Sequence, residues 1–120
     1  MKAMVDGNYL STEIALVEKD NLVWLPATDL MRALAFEAKW SDSQTKLEAE
    51  NGKRKVIFTL DKDTALVVGK RVSLPNPMEK IAGHAMMSVK AIEEVLNCEV
   101  TLNTQRRLVL INAPFQPVSI

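Results

Sequence analysis

The chain has little of what catalysis, metal binding or export tends to leave in a sequence. Its 120 residues include one cysteine, Cys98, one histidine, His84, and no excess of charge, with 15 basic side chains against 15 acidic ones. A single thiol forms no intrachain disulfide, so cysteine usage leaves the redox compartment open. One imidazole falls short of a copper centre built on several. Balanced charge gives no field that gathers phosphate backbones or anionic lipid, which removes nucleic acid and membrane surfaces as default partners. No apolar run approaches the roughly 18 residues of a transmembrane helix, and the opening MKAMVDGNYL lacks the apolar stretch of a signal peptide. An extracellular or envelope location therefore calls for a signal already removed; without one, the cytoplasm is the expected compartment. GxSxG, HExxH, P-loop and GxGxxG motifs are all missing.

What is present is enough for a core. Apolar residues make up 48% and charged residues 25%, values of a folding globular chain, and the length suits one domain. Aromatics are few, so the six methionines are expected to help fill the interior.

The chain also reads as one sentence written twice. Laying each residue over the one 62 positions later gives the identities Ala3/Ala65, Val5/Val67, Gly7/Gly69, Ser11/Ser73, Leu34/Leu96, Glu37/Glu99 and Val56/Val118. Apolar pairs such as Leu25/Met87, Leu30/Ile92 and Leu47/Val109 keep the same register. The period is longer than the roughly 20–50 residues of solenoid repeats. It implies a duplicated supersecondary unit, residues 1–60 and 63–120, sharing one domain.

Each copy opens with a glycine-centred hairpin, AMVDGNYLS and ALVVGKRVSL. The runs LVWL and HAMM suit buried strands, and Pro26 and Ser88 stand at equivalent helix starts. Leu30, Met31 and Leu34 stripe the first helix; Val89, Ile92, Val95 and Leu96 stripe the second. Asn97 suits the left-handed residue that ends a helix, and Ala35 suits it less. SDSQ and NTQR read as turns, KVIFTL and TALVV as further strands, and Pro75 and Pro77 as an edge loop. Pro114 and Pro117 mark a tail or final edge strand. The expected fold is α+β: a duplicated unit of antiparallel strands with one short helix per copy, forming a twisted antiparallel sheet packed on the helices.

Leu25-Pro26, Ala33-Leu34, Trp40 and Asp42 in the first copy, and Gly83, Lys90, Glu94 and Leu96 in the second, give the arrangement its likeness. It resembles the tandem copper amine oxidase N-terminal, or stalk, domain of exported proteins in Gram-positive bacteria. Each copy there has a Gly-Arg-Thr-x-Val-Pro-x-Arg run, a helix ending Glu-Ala-Leu-Gly-Ala, and Val-x-Trp-Asp. The chain departs from that pattern where Leu22 and His84 replace the first Arg, Thr28 the second, Arg32 the Glu, and Ala35 and Asn97 the Gly. The resemblance implies a non-catalytic appendage that carries no cofactor, because copper and quinone belong to a separate domain of the oxidases. It also implies that Trp40 packs in the core.

Candidate sites follow from the remaining chemistry. Lys53 and Arg54, with Lys70 and Arg71, form a basic patch for an anionic wall polymer if their hairpins share an edge; as solvated turns they would simply protect strand edges. Trp24 stacks on sugar rings if it is exposed. Met86 and Met87, next to His84 and near Met78, have soft donors, yet neighbours on a strand point to opposite faces. Cys98, just past a helix C-terminus, reads as buried filler. Glu93 and Glu94 diverge around a helix, and Glu48 and Glu50 share a solvated strand face. The expected function is a non-catalytic stalk or attachment module that contacts a cell-wall polymer. The alternative is a small freestanding inhibitor or adaptor that binds a protein through an edge strand. Oligomeric state stays open.

Overall fold

The computed structural model describes residues 1–113; Pro114, Pro117 and Val118 lie outside the described residues. The chain runs β1 (Lys2–Val5), β2 (Asn8–Tyr9), β3 (Val17–Lys19), β4 (Leu22–Pro26), α1 (Ala27–Ala33), β5 (Glu37–Trp40), β6 (Lys46–Asn51), β7 (Arg54–Thr59), β8 (Thr64–Val67), β9 (Lys70–Ser73), β10 (Glu79–Ile81), β11 (His84–Ser88), α2 (Val89–Leu96), β12 (Glu99–Asn103) and β13 (Leu108–Asn112). This is a mixed α+β fold of mostly antiparallel sheets with two helices. Neither helix is long and apolar enough to cross a membrane.

The strands form three sheets rather than the one expected: β10-β11-β4-β3 at the centre, β5-β6-β7-β8-β9 on one side and β12-β13-β1-β2 on the other. In the central sheet β4 pairs antiparallel with β11, Leu25 opposite Met87, Pro26 opposite Met86 and Trp24 opposite Ser88. Alternation then sorts the side chains. Leu25 and Met87 enter the main core with Leu30, Met31, Ile92, Leu47, Phe58, Val109 and Ile111. Trp24 and Met86 are equally buried but lie on the reverse face, outside that cluster. Lys19 covers this face, its ammonium 5.3 Å from the centre of the Trp24 ring. It reaches Glu79 on the opposite edge of the sheet at 2.9 Å.

β4 and β11 each run straight into a helix. Ser88 caps α2: its Oγ accepts from the Ala91 amide at 3.1 Å and donates to Asn76 Oδ1 at 2.8 Å. Pro26 stands at the same point before α1 without a side-chain cap. Both helices end on a left-handed residue, Ala35 (φ 68°) and Asn97 (φ 55°). Asn tolerates that conformation, whereas the Ala Cβ crowds the backbone.

β8, β9, β10, β11, α2, β12 and β13 each begin 62 residues after β1, β2, β3, β4, α1, β5 and β6 respectively. The flanking sheets nevertheless differ. β6 pairs with β7 antiparallel, whereas β13 pairs with β1 in parallel, Lys2 opposite Leu108 through Val5 opposite Ile111. The expectation of purely antiparallel pairing fails at this ladder. In the sequence, β13 is followed by prolines, which have no N–H for a central ladder, and β1 takes the open edge. Backbone bonds from Lys2 to Arg107 (3.0 Å) and from Asp6 to Ile111 (2.8 Å) extend the contact at both ends.

Two substitutions check these local arguments. Ser88→Ala removes the cap and leaves the half-buried Asn76 Oδ1 without its Ser88 donor, and is expected to lower stability by about 1–2 kcal/mol in urea unfolding. Ala35→Gly relieves the left-handed strain and is expected to raise it by about 0.5–1 kcal/mol, net of the added freedom of the unfolded chain.

Candidate functional site

The side of the molecule where α1 begins holds a cleft of about 270 Å³. Pro26 ends β4 and turns the chain into α1, so Thr28 and Asp29 of the first helical turn face outward. Trp40, the last residue of β5, lies against them and donates its indole N–H to Thr28 Oγ1 at 3.1 Å. The β10–β11 hairpin supplies Lys80, Gly83, His84 and Ala85, and its tight turn places Gly83 at φ 84°. Gln44 and Ile14 complete the lining. The cleft thus offers a half-buried aromatic ring whose one donor is already used, surrounded by a carboxylate, an ammonium, an imidazole and an amide. Such a set can stack on a ring and hydrogen-bond its rim.

A second cleft, of about 600 Å³, contains Glu18, Asn21, Leu22, Val23 and Leu102. These positions precede Lys80, Gly83, His84 and Ala85, or follow Trp40, by the same 62 residues. The two clefts occupy matching places in the chain but differ in chemistry, since Leu22 and Leu102 stand where the first has His84 and Trp40.

The condition placed on Trp24 as a sugar-stacking residue, exposure, is not met. Trp24 is fully buried, its N–H donating to the Lys19 carbonyl at 3.1 Å, so it has no face for a ligand. Trp40, expected in the core, packs against it while half-buried and also lines the open cleft. The run LVWL signalled a buried strand without showing that the Lys19–Glu79 pair covers its second face.

The basic residues are brought together only in part. The β6–β7 and β8–β9 turns are neighbours, with the Val68 amide donating to the Lys55 carbonyl at 2.8 Å. Lys53 sits in the first turn and Arg54 follows it, but Lys70 and Arg71, consecutive on β9, point to opposite faces of the sheet. Glu48 and Glu50 share the outer face, where Glu48 meets Lys55 at 3.8 Å. Glu93 and Glu94 are exposed on α2. Met78, Met86 and Met87 are all buried, the last two on opposite faces.

A two-helix α+β module with surface clefts and a continuous core is the class of protein this architecture defines. A family model for the copper amine oxidase N-terminal domain matches residues 4–111, and the chain belongs to that family. The N-terminal domain of copper amine oxidases is non-catalytic, and membership points to an accessory domain. Comparison with curated proteins finds no match. The copper in the family's name does not fit these residues: among those described, no three His, Cys, Asp or Glu side chains converge on a point that could hold a metal ion.

Cys98 is buried behind α2, its thiol 3.9 Å from the Leu96 carbonyl. Burial, aided by the Asp6 carboxylate, pushes the thiol up to about 11 from an ordinary 9.0. The unfolded thiol ionises first as pH rises, so this group's effect is constant below about 9 and stability falls between about 9 and about 11. Urea midpoints measured from pH 8 to 11 are expected to fall more steeply in the native protein than in Cys98→Val. Iodoacetamide at pH 8 is expected to label Cys98 only after denaturant is added.

Proposed function

We propose that this chain is a non-catalytic attachment module of an exported bacterial protein, built from a duplicated 62-residue unit, and that the Trp40 cleft holds a sugar of a cell-wall polymer. Support for the duplication is the common offset of seven consecutive elements together with the matching left-handed turns at Asp6 and Val68. The observation that carries the binding assignment is Trp40 itself. Its N–H is satisfied by Thr28, which leaves the ring as an apolar platform beside Asp29, Gln44, Lys80 and His84. Sugars present this pairing of an apolar face with a hydroxyl rim. The neighbouring charges have both signs, so the attraction owes little to net charge and survives added salt. A module that holds a wall polymer would keep its partner domain at the cell surface.

Pelleting the protein with purified cell-wall sacculi tests this reading. The native chain is expected to co-sediment at low and at high salt. His84→Ala and Lys80→Ala, which alter exposed side chains and leave the core intact, are expected to weaken binding about tenfold or more. Retention by sacculi that is unchanged in both variants, or that disappears with salt alone, would sink the assignment.

A further inference from the structure

The five-stranded sheet turns one face to the core and the other to solvent. On the outer face Leu66 is 41% exposed, and Ile57, its partner across the β7–β8 ladder, is half-buried. The register lays the outer residues in rows across the strands. The central row runs Lys39, Glu48, Ile57, Leu66 and Arg71 from β5 to β9. Glu37, Glu50 and Lys55 lie on one side of it; Lys46 with Thr59, and Thr64 with Ser73, lie on the other. Parts of this arrangement are unfavourable in a lone molecule. Glu37 and Glu50 stand directly opposite each other, where like charges repel. Arg71, at the far edge, forms no ion pair among the described residues, and Leu66 keeps apolar surface in water between them.

The charges of this surface come close to balance. Its strands carry Glu37, Glu48 and Glu50 against Lys39, Lys46, Lys55 and Arg71, and the adjoining turns add Lys53, Asp61, Lys62 and Asp63. Lys55 already meets Glu48 at 3.8 Å. Order, rather than net charge, is what the surface offers a partner. From β6 to β9 the central row reads acid, apolar, apolar, base, so it is its own complement when turned end for end. A two-fold axis parallel to the strands, between β7 and β8, makes that turn. It lays β6 on β9 of the second molecule and β7 on its β8. Glu48 then faces Arg71 and Ile57 faces Leu66, while Lys46 meets Ser73 and Thr59 meets Thr64. No like charges meet. A two-fold at right angles to the strands would instead stack Glu48 on Glu48 and Arg71 on Arg71.

We propose that two copies of this chain pair face to face through the outer surface of the five-stranded sheet, Glu48 and Glu50 of each copy taking Arg71 of the other. Sheets pack face to face about 10 Å apart, a gap that Glu and Arg side chains span together. Four strands about 4.8 Å apart give a contact about 15–20 Å across, the small end of specific interfaces, and so a dimer that depends on concentration. Trp40 belongs to the opposite face of β5, so both of its clefts stay open in the pair. The pairing holds whether or not those clefts bind sugar.

Sedimentation equilibrium of the full chain, from about 10 µM to about 500 µM, tests the proposal. A monomer–dimer equilibrium is expected. Leu66→Glu, which alters an exposed side chain, is expected to leave only monomer with the thermal unfolding of the native chain little changed. Arg71→Glu and Glu48→Lys are each expected to weaken the dimer about tenfold or more, and the double variant Glu48→Lys/Arg71→Glu to regain most of that loss. A native chain that stays monomeric throughout overturns the proposal. A dimer that persists in Leu66→Glu does so too, because the copies would then meet through another face. Failure of the double variant to regain affinity while it remains folded by circular dichroism refutes the Glu48–Arg71 contact and with it the two-fold.

Discussion

The pairing of β4 with β11 is the contact on which the rest of the molecule hangs. Leu25 and Met87 face each other across it in the main core, and Trp24 and Met86 are buried on the reverse face, where Lys19 lies over the Trp24 ring and bridges to Glu79. Each strand feeds its helix without a connecting residue, so this ladder also sets where α1 and α2 lie. Close packing then leaves little freedom: a shift of one residue in this register would exchange the core residues Leu25 and Met87 for Trp24 and Met86.

From that constraint the surface acquires its differences. The hairpins flanking the central ladder reach solvent at two matched places, and at each the exposed residues are free to change without disturbing the core. One is a cleft with Trp40 and His84, the other a cleft with Leu22 and Leu102. The same freedom applies to the tight turns, where Asp6 relaxes the backbone and Val68 strains it. Packing residues are tied to their partners, whereas rim residues answer only to what they touch outside.

Much of the fold was legible because it rests on local signals. Glycine marked the hairpin turns, LVWL and HAMM marked the central strands, the Leu30 and Ile92 stripes marked the helices, and Asn97 marked a helix end. What could not be read was non-local or short. β3 and β10 are three-residue edge strands bearing charge, and only Asp20-Asn21 and Ala82-Gly83, now seen as positive-φ turns, hinted at them. The parallel β1–β13 ladder joins residues more than a hundred positions apart, beyond any local pattern. The site suffered for a related reason. Whether a tryptophan is covered depends on what crosses its second face, and the Lys19–Glu79 pair spans sixty residues of sequence. Basic residues adjacent in the sequence were likewise separated by strand alternation, which put Lys70 and Arg71 on opposite faces.

The β1–β13 ladder has one more consequence, which concerns force. Because the two strands run the same way, tension that draws β1 back by its start and β13 forward by its end slides them past each other. The rungs from Lys2–Leu108 to Val5–Ile111 are then loaded together, whereas an antiparallel hairpin pulled at its open end yields one rung at a time. Resistance of this kind depends on the rate at which the ladder ruptures rather than on equilibrium stability. A domain held in this way behaves as a stiff link under load until the whole ladder gives way at once.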